Sequence, residues 1–374
     1  MNIVFSSHIE NSQGGAQRCL LDLIKGIKDK YPQCNIYVIF PAEGDFIELL
    51  EPYISGYTII KQPWWLVTST PKKRIELFLR ILKYSRKTLV YLKRIHPDIV
   101  VTNTITSPVV AIASKLGGYK HLWFIHEMPI HTGFYTFVLK EKIIMHLVDK
   151  TAYKILVVSD SAKNYYRRFI TRKNRIQKIE VTVGINLNQF RKEKNPYLTM
   201  LFVGNFDTNK NQEEAINACK LLKERDIDFY LYLVGATEGN PYVEFIRKKI
   251  ENSQLENMVS VEGFTNDIMI YYNKTDILLL CSATEAKPRV IIEAQKIGIP
   301  VIATDIDAHR ELIKDGYNGI LYKRGNVEEM ADSIQRLNDD KLRIEMSENA
   351  LTTMKGRYEI NQFVDEFMKV GNLI

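Results

Sequence analysis

Short, unbroken apolar runs alternate with stretches of helical periodicity along the whole chain. Runs at 3–5, 36–40, 99–101, 122–125 and 155–158 are followed by a second series at 200–203, 229–234, 259–261, 277–281 and 301–303. Runs of this length without polar alternation are what strands buried on both faces of a parallel sheet show. Between them apolar residues recur at helical spacing, as at Leu20, Leu23, Ile24 and Ile27. Strand–helix alternation repeated in two series predicts two doubly wound α/β domains. Ligands of such sheets bind outside the carboxyl ends of the strands, so the loops after these runs are where chemistry is to be sought.

A chain of 374 residues has room for two such domains, each with its own core. Hydrophobic content of 45% and charged content of 25% are ordinary for a globular protein. Cys19, Cys34, Cys219 and Cys281 lie in or near predicted core elements, without CxxC or histidine pairing at ligand spacing. That argues against zinc and disulfides and predicts reduced thiols in a cytoplasmic protein. No apolar stretch reaches the ~18–20 residues needed to span a bilayer, and MNIVFSSHIE is too short and polar for a signal peptide. The net charge of +7 conceals an asymmetry: residues 1–184 balance to +13 and residues 185–374 to −6. Two electrostatically different halves suggest different partners and a boundary near residue 185.

The segment from 282 to 319 is the most informative. Pro288 suits the first position of a helix whose packing face is Val290, Ile291, Ala294 and Ile297; Gly298 can end it, and Pro300 opens the next strand. Free N–H groups at this helix start form an anion site suited to phosphate. Glu293 lies roughly 7–8 Å along the axis from Pro288, about the span from a diphosphate to a ribose. Glu285 sits in the loop before the helix. After the run at 200–203, Asn209 with Gln212 has the form of a capping box that puts Lys210 at a helix start, beside further free N–H groups. Gly14–Gly15 marks a turn between the first strand and its helix. His126 closes the run at 122–125 and so faces the ligand side; the other histidines, His309 among them, carry no such pattern. The Asn338, Asp339 and Asp340 cluster reads as a solvated turn rather than a metal site.

EAKPRVIIEA, GIPVIAT and DGYNG together resemble the Glu–x7–Glu signature of retaining glycosyltransferases of family 4, the group 1 glycosyl transferases, which have the GT-B fold. The resemblance spans nearly the whole chain. It implies an acceptor-binding Rossmann-like domain over 1–184, a nucleotide-sugar-binding one over 185–357, and a C-terminal helix over 358–374 crossing back onto the first. It also implies Glu293 on a ribose, Glu285 on sugar hydroxyls, Lys210 and the Pro288–Arg289 helix start on the diphosphate, Gly14 and Gly15 closing over it, and His126 beside the transferred sugar. Four positions depart from the family pattern: Asn205 replaces an arginine that neutralises phosphate, Gln17 replaces a glutamate, and TVGINLNQF differs from the family linker at Val183 and Asn186. Either Arg289 or Arg310 is expected to compensate for Asn205, or donor binding is weaker than usual in the family.

The expected activity is transfer of a sugar from a nucleotide-diphosphate donor, UDP-linked in preference to GDP-linked, to a glycan or lipid-linked acceptor, with no metal or other cofactor. The alternatives are a GT-B sugar-nucleotide 2-epimerase and a non-catalytic sugar-nucleotide-binding paralogue. Between residues 72 and 94 there are nine Lys/Arg and one acid, Glu76, with Ile75, Leu79, Leu82, Leu89 and Leu92 at near-helical intervals. With Trp64 and Trp65 just upstream, Lys72, Lys73, Arg74 and Arg80 predict peripheral contact with an anionic membrane on its inner face. Glu127 and His131 are placed on the acceptor side by position. Neither basic stretch belongs to a nucleic-acid module, so no nucleic-acid partner is expected.

Overall fold

The computed structural model describes residues 1–65, 71–128, 137–184 and 189–374, with backbone only at 71–73. The chain divides into two compact units, Met1–Gly184 with Tyr358–Ile374, and Ile185–Arg357.

The first unit holds a seven-stranded sheet: β1 (Asn2–Ser6), β2 (Asn35–Phe40), β3 (Gly56–Ile59), β4 (Ile99–Asn103), β5 (His121–Ile125), β6 (Lys154–Val157) and β7 (Ile176–Lys178). Its order is β3-β2-β1-β4-β5-β6-β7, parallel throughout. The second unit holds β8 (Leu198–Val203), β9 (Phe229–Ala236), β10 (Val259–Gly263), β11 (Ile277–Leu280), β12 (Val301–Thr304) and β13 (Gly319–Tyr322). These run parallel in the order β10-β9-β8-β11-β12-β13. All ten predicted runs are strands. The central ones, such as β4, β5 and β11, are buried at every position, because helices cover both faces of a parallel sheet.

Helix Ile360–Val370 belongs to the first unit. Its buried Phe363 and Phe367 enter that core, with Phe367 stacked on Phe5 of β1 at 5.8 Å. It lies so close to helix Gly15–Lys30 that a Cβ on Gly26 would meet Ile360 and Val364 at 2.7 Å. Lys30 and Tyr31 both bind Asp365, at 2.6 and 3.1 Å.

Helix Pro71–Ile95 buries Leu92 of the stripe expected at a membrane and leaves Ile75 and Leu79 of it exposed. Ile81, Ser85, Thr88 and Leu92 are buried, whereas Ile75, Phe78 and Leu79 are 67%, 58% and 60% exposed. Small polar residues let this helix lie close on its neighbour, which leaves the larger apolar groups of its first half outside. The Asn338, Asp339 and Asp340 cluster is a helix cap: Asp339 accepts from the backbone N–H of Lys341 and Leu342 at the start of helix Asp340–Met354. All four cysteines are buried thiols. Among the described residues no helix is long and apolar enough to cross a membrane.

The ends of β8 and β9 meet at van der Waals limits. Gly235 has φ +117°, and a Cβ there would stand 2.4 Å from the Gly204 carbonyl oxygen, so only glycine fits. Gly239, at φ +73°, has nothing within 4 Å of a built Cβ. Gly235→Ala is therefore expected to destabilise the fold by about 2–3 kcal/mol, and Gly239→Ala by about 1 kcal/mol. Urea unfolding midpoints of the two variants check the ranking.

Candidate functional site

Strand order in the second sheet reverses between β8 and β11. A doubly wound sheet opens a crevice where its order reverses. The loops leaving these two strands are sewn together by Asn209, whose backbone C=O accepts from Ala283 N–H at 2.8 Å. Its side chain donates to the Thr284 carbonyl and accepts from Thr284 N–H, both at 3.2 Å. This clasp brings Lys210 from one loop onto Glu285 from the other: the ammonium donates to Glu285 Oε1. Ser282 Oγ donates to the same oxygen at 2.7 Å. Burial pushes the Glu285 pKa up, but the Lys210 charge and hydrogen bond, with smaller help from His309 and Ser282, outweigh it, and the carboxyl lies below its usual range.

Two local expectations are corrected. The helix after the first loop is Gln212–Glu224, not a helix from Lys210, because Asn211 adopts φ +58° and Asn209 spends its side chain on Thr284. Lys210 thus stands in the turn before the helix, its own N–H held by Asp207 Oδ1 at 2.8 Å. Likewise Pro288 is the residue before helix Arg289–Lys296 rather than its first residue. That helix ends as predicted at Gly298, φ +77°, with Ile299 N–H returning to the Ala294 carbonyl at 2.8 Å.

Glu293 lies on this helix, where buried Tyr272 donates to its Oε2 at 2.9 Å and Arg289 Nε approaches Oε1 at 4.0 Å. Burial and the Glu293 charge hold the Tyr272 phenol far above its ordinary pKa, so it stays a donor. Neither arginine expected to replace the family arginine is uncommitted: Arg289 is beside Glu293, and exposed Arg310 forks onto Asp305 at 2.6 and 2.7 Å. Asn205 is exposed, and its carbonyl accepts from Gln212 Nε2 at 2.8 Å.

The first sheet reverses between β1 and β4. Gly14 precedes helix Gly15–Lys30, and a Cβ on it would overlap Gln17 Oε1 at 2.1 Å. Buried Gln17 lies 3.1 Å from His8 Nδ1. Asn103, the last residue of β4, donates to the Ala16 carbonyl at 3.1 Å, and its Oδ1 is 2.8 Å from His126 Nε2. The next residue, Thr104, is β-branched yet has φ +95°, a strained conformation of the kind found at functional loops.

Glu127 turns inward rather than toward an acceptor: its Oε2 accepts from the N–H of Ile105 and of His126, each at 3.2 Å. Trp65 is 3% exposed and stacks on Trp123 at 6.0 Å, so it is a core residue and not a membrane anchor. Half-buried Trp64 donates to the His8 carbonyl at 3.2 Å. Arg74 and Arg80 are exposed; the side chains of Lys72 and Lys73, with His131 and part of the linker (185–188), lie outside the described residues. Tyr272, Ser282 and Asn103 carry no signal in the sequence; each meets an expected residue of its own unit (Glu293, Glu285 and His126) only through a contact made by the fold.

Two parallel, doubly wound units, each with its loops gathered at a reversal of strand order, define a GT-B protein. The chain belongs to glycosyltransferase family 4: residues 185–353 match Glycosyl transferases group 1 and residues 13–182 match Glycosyltransferase Family 4. An uncharacterised glycosyltransferase of Haemophilus influenzae is 26% identical over 59% of this chain and 62% of its own. The GalNAc-alpha-(1->4)-GalNAc-alpha-(1->3)-diNAcBac-PP-undecaprenol alpha-1,4-N-acetyl-D-galactosaminyltransferase of Campylobacter jejuni is 25% identical over 99% of this chain and 98% of its own. The fold is also that of Anabaena HepE, crystallised with UDP and glucose, with TM-score 0.81 and 21% identity over 100% of both chains.

Burial raises the Glu127 pKa to about 7 against the opposing pull of its backbone donors. An unfolded glutamate loses its proton near pH 4.3. Between these values the unfolded state gives up a proton that the folded state keeps, so stability falls as pH rises through this window and then levels off. The fall amounts to about 4 kcal/mol. Glu127→Gln is expected to flatten that slope, which denaturant unfolding at pH 5, 6 and 7.5 measures.

Proposed function

We propose that the protein is a retaining glycosyltransferase that moves a sugar from a nucleotide-diphosphate donor, UDP-linked in preference to GDP-linked, to a glycan or lipid-linked acceptor without a metal ion. The observation that carries this reading is the Lys210–Glu285 pair at the β8/β11 reversal, with Glu293 on the following helix. In this reading Lys210 and the start of helix Arg289–Lys296 hold the diphosphate. Glu293, oriented by Tyr272, accepts from the ribose hydroxyls. Glu285 holds the sugar, and His126, fixed by Asn103, positions the reacting groups from the acceptor side. Rate enhancement then comes from stabilising the departing diphosphate and from holding the acceptor hydroxyl on the same face. UDP in HepE and the undecaprenol-linked acceptor named for the Campylobacter relative support the donor and acceptor classes.

A lipid-linked acceptor also accords with a peripheral site at an anionic membrane. Ile75, Phe78 and Leu79 form an exposed apolar patch at helical spacing, flanked by exposed Arg74 and Arg80.

Glu293→Gln is expected to weaken UDP binding about tenfold, the worth of one bond to a charged group. Glu285→Gln is expected to leave UDP affinity unchanged or tighter while lowering turnover on the order of a hundredfold. Titration calorimetry and a transfer assay in excess EDTA measure both; equal affinity losses would overturn the assignment, and full loss of transfer in EDTA would overturn metal independence. For the membrane contact, Ile75→Ser with Phe78→Ser, or Arg74→Gln with Arg80→Gln, is expected to reduce flotation with vesicles rich in anionic lipid. Wild-type protein that ignores such vesicles at low salt would sink this part.

A further inference from the structure

Lys210 is already occupied. Its ammonium is committed to Glu285, and the two side chains are only 20% and 14% exposed. A diphosphate that draws Lys210 away leaves Glu285 as a buried carboxylate with Ser282 Oγ as its remaining described hydrogen-bond partner. A buried charge stripped of its partner is strongly unfavourable, so donor binding on these terms needs a replacement cation.

His309 is placed to supply it. The residue is fully buried on the short helix Asp307–Arg310, just beyond β12. Its Nδ1 lies 2.7 Å from the Thr304 carbonyl, which fixes the neutral ring's proton on Nδ1. Nε2 is closed off from solvent and has no hydrogen-bond partner among the described residues. A buried, unpaired ring nitrogen is costly unless it serves a purpose. Thr304 Oγ1 donates to the Ser282 carbonyl at 2.7 Å, and Ser282 Oγ reaches Glu285, so the ring is tied to the carboxylate through two residues.

The charges around it come from three elements. Glu285 acts from the loop after β11, Lys210 from the loop after β8, and Asp305 from the end of β12. On or beside its own helix, Arg310 is held by Asp305 and Asp307, and Glu311 lies 3.7 Å from Lys287. Burial above all keeps His309 neutral; Glu285 and Asp305 favour its protonation, and Lys210 opposes it.

We propose that His309 takes over from Lys210 as the counter-charge of Glu285 when a nucleotide diphosphate binds, its Nε2 accepting one proton from solvent as Lys210 turns to the phosphate. No other bond forms or breaks. The proposal rests on the donor reading given above. It makes nucleotide binding a proton-uptake event, so affinity falls as pH rises through neutrality.

The test is titration of UDP, with GDP as second probe, at pH 7.0 in buffers of different ionisation enthalpy. Wild-type protein is expected to take up a measurable fraction of one proton per nucleotide bound. His309→Asn retains a donor for the Thr304 carbonyl but lacks Nε2, and should bind UDP with no dependence on buffer. A second measurement needs no variant: with ring-labelled histidine, one of the seven histidines should titrate at a higher pH in the UDP complex than in the free protein. Binding without buffer dependence in the wild type, uptake undiminished in His309→Asn, or no histidine shift on UDP binding would each overturn the hand-over while leaving the donor reading intact. Failure of both nucleotides to bind would overturn the donor reading and this inference together.

Discussion

In a parallel sheet every connection must cross back over one face, always with the same hand. Two loops can therefore face each other without an intervening helix only where the strand order reverses. In the second unit that place lies between β8 and β11, and the rest of the site depends on it. Lys210 and Glu285 are 75 residues apart in sequence, yet neither needs a long excursion to reach the other. Asn209 then closes the two loops with three hydrogen bonds. The first unit repeats the arrangement between β1 and β4, with Asn103 bonding both the helix start at Ala16 and His126.

The interior of both sheets was legible because interior strands are buried on two faces and spell continuous apolar runs. The edges were not. β3, β7 and β13, the strands missing from the sequence reading, are all sheet edges. β3 is only alternately covered and opens on glycine, β7 is three residues long and reads IQK, and β13 follows a turn that looks like loop. An edge strand borrows its conformation from a neighbour's hydrogen bonds more than from its own side chains.

At the level of single side chains the sequence spoke less well, for reasons that differ from case to case. Trp64 and Trp65 read as a pair, but one indole is sealed against Trp123 and the other is tied to His8. The leucine spacing of helix Pro71–Ile95 suggested a membrane face, whereas Leu92 is buried along with Ser85 and Thr88 and only Ile75 and Leu79 stay exposed. The helices expected to start at Pro288 and Lys210 begin one and two residues further on; at the second, Asn209 spends its side chain on Thr284 instead of capping. Tyr272 and His309 carry no local signal at all. Tyr272 comes to Glu293 by burial, and His309 is joined to the Glu285 loop through Thr304 and Ser282, contacts that only the assembled sheet creates.

The return of helix Ile360–Val370 to the first unit has a consequence for how the protein is made. Synthesis delivers residues 1–184 first and the whole of Ile185–Arg357 next, and only then the helix that covers Phe5 and Gly26. The second unit is complete as soon as its own residues have left the ribosome. The first, although begun earlier, keeps an apolar seat open until residues 360–370 have emerged, and so the unit that starts first is the last to finish folding.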